Sequence, residues 1–184
     1  MNSDINYFLN RQKEFSKSIN ELEKKSRIYS NLRLLSFCVF IVFSFLFIRN
    51  LSNYIFIVLA LLAIVAFIFL CVIHSRIFAE INHLKSSLEV VNRYIGRING
   101  DFSSLPDKGL EFLDKNHDYA YDLDVFGDVS LFALYNTSHT YLGRKEFAGM
   151  LLGQNSCPDI KKSQSVCKEF IDNVDFLIDY ESNS

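Results

Sequence analysis

The sequence predicts an all-α protein organised around a pair of membrane-embedded helices. Two observations lead to this prediction: two long apolar runs lie only five residues apart, and the arms that flank them repeat apolar residues every three or four positions. We expect a transmembrane helical hairpin at residues 32–73, and an antiparallel coiled-coil stalk formed by a first helix at residues 1–31 and a second at residues 74–102. A small helical segment at residues 103–184 completes the predicted architecture.

The hairpin is predicted from length and apolarity. The second run, Tyr54 to Ile73, has twenty residues without a charge, and a helix of that length spans a hydrocarbon core of about 30 Å. The first run, Leu34 to Ile48, is extended by Leu32 and Arg33, because an arginine at a helix end can lift its guanidinium to the headgroups. The alternative is a buried hairpin in a soluble protein, but soluble helices of this length rarely lack a polar face.

The turn and its flanking charges predict the orientation of the hairpin. Residues 49–53 form a turn so short that both outer ends of the pair fall on the same side of the membrane. Seven Lys and Arg precede the first span, one lies in the turn, and four lie between His74 and Gly100. By the positive-inside rule both termini are cytoplasmic in a multi-pass protein. Close approach of the two helices is expected at the small residues of the spans, which are Ser36, Ser44, Ala60, Ala63 and Ala66.

The stalk is predicted from heptad periodicity in both arms. Each arm covers about 25 residues, or roughly 37–39 Å of helix, so the two arms can pair along their length with Tyr29 near Ile77 and Ile5 near Phe102. The alternative is that one or both arms lie flat on the headgroups as basic amphipathic helices, although the arms also contain glutamates that anionic lipid would repel. The apolar positions are Ile5, Phe8, Phe15, Ile19, Leu22 and Tyr29 in the first arm, with Gln12 and Ser26 between them, and Ile77, Ile81, Leu84, Leu88, Val91, Ile95, Ile98 and Phe102 in the second.

Charge is distributed unevenly along the chain. Residues 1–100 contain 12 Lys and Arg against 6 Asp and Glu, and residues 101–184 contain 7 against 15. The basic part flanks the predicted membrane spans, where anionic lipid attracts it. The acidic part lacks the clustered cations that phosphate contacts need, so we expect no direct nucleic-acid contact. Cys38 and Cys71 lie in the predicted spans, and Cys157 and Cys167 are ten residues apart without a histidine at zinc-ligand spacing, so the cysteines are interpreted as small apolar residues in a reducing compartment.

The segment after the stalk is predicted to form short helices. Ser104 is expected to cap a helix that runs through Leu113, and Thr140 to cap a helix from Arg144 to Leu152 that Gly153 ends. Between them, the apolar residues Leu131, Phe132, Leu134 and Tyr135 predict one helix face. Pro158 is expected in the first turn of a long amphipathic helix that reaches nearly to Ser184. The apolar residues of that last helix, Phe170, Val174 and Leu177, need a cover.

A linked set of residues in this segment resembles the opening of the core (lever) domain of MutS-type DNA mismatch repair ATPases. More narrowly, it resembles a bacterial branch of that family with two membrane spans ahead of the core. The resemblance covers about residues 115–170. It is carried by His117, Tyr119, Asp122-Leu123-Asp124-Val125-Phe126-Gly127, Ser130-Leu131-Phe132, Asn136, His139-Thr140, Gly143-Arg144 and Ile160-x-x-Ser163-Gln164.

The chain also departs from the family pattern. Tyr141 stands where the family usually has proline, and Ser163 where it usually has arginine. The family's ATPase contains a phosphate-binding loop that ends in Gly-Lys-Ser/Thr, and no stretch of this chain fits that pattern, Gly143-Arg144-Lys145 included. The Phe-x-Glu that reads mismatches occurs only as Phe78-Ala79-Glu80, beside the second span, and is interpreted as chance.

Other motifs fit the sequence less well. Asp122-Leu-Asp124-Val is similar to a haloacid-dehalogenase nucleophile motif but does not end a buried strand, and the same stretch fails as an EF-hand loop because position twelve is Ala133. His117 and His139 suggest a metal ligand or a general base, but without a second ligand at defined spacing each is interpreted as a polar residue that satisfies local backbone. We therefore predict no catalytic, cofactor-binding or metal-binding residue in this chain.

Two functions of different classes follow from the sequence. In the first, the chain is the membrane anchor and the start of the core domain of a MutS-like protein of the bacterial inner membrane, truncated and non-catalytic. ATP and magnesium are implied only for the family's missing ATPase domain, and the partners are the lipid bilayer and either a second copy or the remainder of a MutS-like protein. In the second, the chain is a stand-alone, non-enzymatic membrane adaptor with a coiled-coil stalk and an acidic partner-binding tail.

Overall fold

The computed structural model describes residues 2–49, 54–154, 160–171 and 173–183. Their regular structure is entirely helical and contains no strand, and two long helices pack against each other, so the predicted all-α fold is confirmed. The helices are α1 (Asn2–Arg49), α2 (Ile55–Asn99), α3 (Leu131–Tyr135), α4 (Tyr141–Leu151), α5 (Ile160–Ile171) and α6 (Val174–Ser182), with 3₁₀ turns at Phe102–Ser104 and Leu110–Phe112. Of the predicted turn at residues 49–53, Arg49 is the last residue of α1, and residues 50–53 lie outside the described residues, as do Cys157 and Pro158.

The chain is divided into two units. Residues 15–85 form the first, and we call it the hairpin unit. In it the heptad seam of each helix continues without interruption from the arm into the apolar run. The seam positions are all buried or half-buried, while the residues between them are mostly exposed. In α1 they are Phe15, Ile19, Leu22, Ser26, Tyr29, Arg33, Ser36, Phe40, Phe43 and Phe47, and in α2 they are Phe56, Ala60, Ala63, Phe67, Leu70, His74, Ile77, Ile81 and Leu84.

Small residues lie where the two helices of the hairpin meet, as predicted for most of them. Ala60 and Ala63 are buried, and the Ser36 hydroxyl donates a hydrogen bond to the Ala63 carbonyl at 2.9 Å. Ser44 is half-buried. The expectation for Ala66 is wrong, because Ala66 lies between two seam positions and its side chain is exposed.

Polar contacts fix the antiparallel register of the stalk within the hairpin unit. Lys85 Nζ lies 2.8 Å from Glu23 Oε1, and the Ser26 hydroxyl lies 3.2 Å from His74 Nε2. Tyr29 and Ile77 are both half-buried. The register therefore agrees with the one expected from the heptads.

The second unit consists of residues 1–14 and 86–184, and we call it the compact unit. At its base the two long helices are paired: the Phe8 ring stacks on Tyr94 with centroids 5.2 Å apart, and the Gln12 amide donates to Asn92 Oδ1 at 2.8 Å. The core of the unit is built around Phe132, which is fully buried. Three rings pack on Phe132 with centroids 5.5–5.8 Å away: Phe112, Phe126 and Phe147.

Two predicted elements before α4 differ from the structure. No helix runs from Ser104 to Leu113; Asp101 accepts from the Ser103 amide and begins a single 3₁₀ turn, and Gly109, with φ of 60°, begins a second. In α3 the predicted apolar face is wrong for two residues, since Leu131 and Tyr135 are exposed. A five-residue helix has little more than one turn, so Phe132 and Ala133 are the residues that it buries.

The C-terminal prediction is partly right. Thr140 caps α4 as expected, its hydroxyl accepting from the Gly143 amide at 3.2 Å, and Gly153 follows α4 with φ of +67°. The expected long last helix is two helices, because α5 ends at Ile171 and α6 begins after Asn173. α6 buries Ile178 and Glu181, whereas every residue of α5 is exposed.

Candidate functional site

The outer surface of the hairpin unit is apolar along both runs of the sequence. In α1 no residue of the most apolar stretch of membrane-spanning length is buried, and in α2 11% of the residues of that stretch are buried. Exposed side chains therefore dominate both stretches, with Leu34, Phe45 and Ile48 in α1 and Leu62, Val65 and Phe69 in α2 among those more than half exposed. By length and composition, the two helices are candidates for crossing a membrane.

In the compact unit, residues that carry the MutS-like resemblance build one loop ahead of α3. Backbone hydrogen bonds of 3.0 Å join Val125 to Ala120 and Phe132 to Val125. Gly127 has φ of 131°, a conformation that L side chains rarely adopt. The Ser130 hydroxyl donates to the Gly127 carbonyl at 2.9 Å and accepts from the Ala133 amide at 3.1 Å, which caps α3.

Two further residues of the resemblance tie this loop to the end of α4. His117 Nε2 lies 3.3 Å from the Leu152 carbonyl oxygen, and the Tyr119 hydroxyl donates to the Leu151 carbonyl at 3.0 Å. Both carbonyls belong to the last turn of a helix, which has no partners for them within the helix. His117 therefore satisfies backbone, as the sequence suggested, but the backbone of a distant element.

The Asp107 carboxylate, in the linker before α3, binds both α4 and the loop that precedes α4. Arg144 donates from Nε and Nη2 to both oxygens of Asp107, at 2.7 and 2.8 Å, and also contacts Glu111. These hydrogen bonds raise the pKa of Arg144. The Asn136 amide donates to the same Asp107 carboxylate at 2.7 Å. The resemblance residues Asn136 and Arg144 thus share one acidic partner.

His139, which is itself exposed, contacts a buried ion pair that joins α2 to α6. Arg93 Nη2 lies 3.0 Å from Glu181 Oε1, and the two side chains are 10% and 5% exposed. His139 Nε2 lies 3.3 Å from Arg93 Nη2 and 3.5 Å from Glu181 Oε1. The expectation that His139 satisfies local backbone is therefore wrong, because its partners are charged side chains of two other helices.

Tyr94 and Arg97 lie beside this ion pair. We call the group formed by Arg93, Tyr94, Arg97, His139 and Glu181 the arginine cluster. The Arg97 guanidinium lies over the Tyr94 ring, 5.1 Å from its centroid, and donates from Nη2 to the Asn136 carbonyl at 2.7 Å. Burial, together with the nearby Glu181 carboxylate, raises the pKa of Tyr94 to about 12. Burial also lowers the pKa of Arg97, since a cation loses hydration there.

Beside the cluster lies an apolar groove of about 590 Å³. Aromatic and aliphatic side chains of α6 form one wall, and the polar stretch from Thr137 to Thr140 forms the other. Such a combination of apolar walls and a few polar groups is typical of binding sites. The apolar and aromatic residues that line it are Tyr94, Phe170, Phe176, Leu177 and Tyr180.

Within the described residues, no group of three or more His, Cys, Asp or Glu side chains is arranged to hold a metal ion. Asp122 and Asp124 are exposed in the loop before α3. We assign neither residue a chemical role.

Comparison with family models, with curated proteins and with solved structures finds no match to this chain. The interpretation of the site therefore rests on the residues themselves.

Sequence reasoning missed the arginine cluster as a site. In the sequence, Arg93 and Arg97 contribute only to the count of positive charges that predicts the orientation of the hairpin. A signal was present, because the two arginines lie four residues apart in a helix and so share a face with each other. That this face is buried against Glu181 depends on the position of α6, which the sequence pattern does not specify.

Proposed function

We propose that this protein is a membrane anchor that tethers the start of a MutS-like core domain to the cytoplasmic face of the bacterial inner membrane. In this proposal α1 and α2 each cross the bilayer once, and both termini are cytoplasmic. The chain itself is non-catalytic. Its partners are the lipid bilayer and either a second copy or another part of a MutS-like protein.

The observation that carries the anchor is the exposed apolar surface of the hairpin unit. Transfer of one large apolar side chain out of water is worth roughly 1.5–3 kcal/mol. Two continuous helical stretches whose outward side chains are almost all apolar would be strongly unfavourable in water, and lipid removes that cost. The heptad seam buries the other face of each helix, which leaves the outward face as the one that meets lipid.

The MutS-like part is supported by what the resemblance residues do. Ser130, Asn136, Thr140 and Arg144 each cap a helix or join two elements, so the motif specifies a local fold. A motif of this kind is expected at the start of a structural core domain. Because the 184 residues contain no Gly-Lys-Ser/Thr loop, we propose that this chain does not hydrolyse ATP.

A stand-alone membrane adaptor is the second candidate, and α5 favours it. Every residue of α5 is exposed, including Ile160, Val166, Phe170 and Ile171. An exposed amphipathic helix of this kind can dock on a partner. The two candidates differ in the coding sequence: a Gly-Lys-Ser/Thr loop encoded downstream, in frame or after a frameshift, favours the MutS-like protein, and a stop without an ATPase favours the adaptor.

Membrane insertion and orientation can be tested by thiol labelling. In a variant that retains Cys167 alone, a membrane-impermeant maleimide should label inverted inner-membrane vesicles but not intact spheroplasts, because Cys167 is exposed in the compact unit. The matched control carries a single cysteine at Ser52→Cys, in the predicted periplasmic turn, and should show the opposite pattern. Extraction of the protein by alkaline carbonate without detergent would contradict the anchor, and labelling of Cys167 in spheroplasts would contradict the orientation.

Catalysis can be tested on the full chain purified in detergent. We expect no ATP hydrolysis above the buffer background with magnesium present. A rate that exceeds background and resists further purification would contradict the non-catalytic assignment.

A further inference from the structure

The arginine cluster of the compact unit contains more buried positive charge than its protein partners neutralise. Arg93 is 9% exposed. Arg97 lies one turn further along α2, with its guanidinium over the Tyr94 ring. Glu181 is the buried carboxylate that the two arginines share. The other carboxylate that binds Arg93 belongs to Glu89, whose side chain is 69% exposed and therefore largely screened by water.

The nearby carboxylate of Asp107 does not make up the difference. Arg144 occupies both of its oxygens, and the Asn136 amide occupies one of them as well. Asp107 and Arg144 therefore neutralise each other. Arg97 is left with a backbone carbonyl and an aromatic ring as its direct partners, and a buried cation without a full counter-charge is costly.

Three guanidinium nitrogens in the cluster also lack a hydrogen-bond acceptor. Arg93 Nε, Arg97 Nε and Arg97 Nη1 are buried and have no partner within the described part of the chain. Buried donors are paired in the great majority of native structures, so an unpaired set calls for an acceptor from outside the chain.

A cavity of suitable size lies between these groups. It measures about 50 Å³, and its polar lining consists of both arginines, Asn136, Ser138 and His139, together with the Asp107 and Glu181 carboxylates, which are paired with Arg144 and Arg93. One water needs about 10–15 Å³ of such space, so the cavity accommodates a small polyatomic ion. Its lining offers hydrogen-bond donors on several sides, which suits an oxyanion rather than an apolar ligand.

We propose that the cavity binds a small free oxyanion, of which inorganic phosphate is the representative, between Arg93 and Arg97. The anion supplies the negative charge that Glu181 alone does not, and it accepts from the unpaired guanidinium nitrogens. Because the cavity is bounded by α2, by the loop at Asn136 and by Glu181 of α6, the bound anion holds these three elements together. This site is independent of the proposed membrane anchor and of any ATPase.

The test uses the full chain in micelles of an uncharged detergent and follows amide hydrogen exchange in α6. Sodium phosphate is titrated against sodium chloride at matched ionic strength. We expect phosphate to slow exchange in α6 saturably, by about tenfold at ten times its dissociation constant, and chloride to have no comparable effect. In Arg97→Met the difference between the two salts should disappear. In Arg76→Met, which removes an exposed cation of the same helix, it should persist.

Several results would overturn the site. Equal effects of phosphate and chloride would show general screening, and an unsaturated, linear effect of phosphate would show preferential exclusion of the salt from the protein surface. A phosphate effect that survives Arg97→Met would place the anion elsewhere. If Arg97→Met does not fold, Arg97→Lys keeps the charge but removes the guanidinium N–H donors, and the site requires saturation at a higher phosphate concentration than in the unmodified protein.

Glycerol 3-phosphate distinguishes a free ion from the phosphate of a lipid headgroup. Because the proposed ligand is the free ion, glycerol 3-phosphate should slow exchange in α6 less than inorganic phosphate does. An effect equal to that of inorganic phosphate would overturn the assignment to a free ion.

Discussion

Removing the carboxylate of Glu181 should destabilise the attachment of α6 more than any other change to an acidic residue of that helix. In Glu181→Gln the Arg93 guanidinium stays buried while its 3.0 Å carboxylate partner becomes a neutral amide. Breaking a buried ion pair by removal of one partner typically costs roughly 3–5 kcal/mol, because a charge is left without compensation. The amide oxygen can still accept one hydrogen bond, so we expect about 3 kcal/mol.

Amide hydrogen exchange measures this effect in the full chain, since it reports opening of α6 separately from the long helices. A loss of about 3 kcal/mol corresponds to a roughly 150-fold faster exchange of the α6 amides in the regime where opening is rapid. The assay is run at pH 7 and in the absence of added phosphate. Amides of residues 55–73 of α2 serve as an internal reference.

The matched control is Glu169→Gln. It makes the same chemical change on α5, where Glu169 is exposed, and should alter exchange by less than threefold. Should Glu181→Gln match this control, the pair with Arg93 would contribute nothing to the attachment of α6. The reasoning from burial and charge would then be refuted.

Three further outcomes are expected. Ser130→Ala removes the cap of α3 and should lower the stability of the compact unit by about 1–2 kcal/mol, measured by amide exchange in α3, whereas Ser165→Ala on exposed α5 should change it little; equal effects would contradict the capping role. Hydrogen bonds from the Tyr7 hydroxyl and from Arg11 lower the pKa of Asp175 below its usual 3.8, so the stability they contribute is present above that pH and is lost as the pH falls through the lowered value; exchange in α6 measured from pH 6 to pH 2 should show this loss, and Asp175→Asn should flatten it. Ala63→Leu should separate the hairpin helices because Ala63 is buried between them, while Ala66→Leu should not because Ala66 is exposed; equal thermal stability of the two variants in detergent would contradict the packing of the hairpin.

The hairpin shows how far periodicity leads. Spacing of three and four residues predicted the seam of both arms correctly except at Ile98, which is exposed. The structure extends that seam through residues that a hydrophobicity scale cannot separate. Ala63 and Ala66 are chemically identical, yet one is buried and the other is exposed. The phase of the heptad decides between them, and it can be read only by carrying the pattern of the arms into the apolar runs.

In the compact unit, local signals predicted local structure and failed at a distance. Thr140 was predicted as a cap correctly, because capping depends on a side chain and an amide three residues apart. The long last helix was predicted wrongly, because the apolar pattern continues past Ile171, where α5 ends, and α6 is a separate helix that begins at Val174. His139 was assigned to local backbone for the same reason: its actual partners, Arg93 and Glu181, are 46 and 42 residues away in sequence.

By itself the sequence determined the helical class, the paired long helices and the apolar surface that suits a membrane. These follow from repeating patterns along one helix, where neighbours in space are neighbours in sequence. Only the tertiary structure decided that two arginines of α2 lie close to one glutamate of α6, because Arg93 and Glu181 are 88 residues apart in sequence. Burial then makes the pairing of these charges important, because a buried charge that is not compensated has a high free-energy cost.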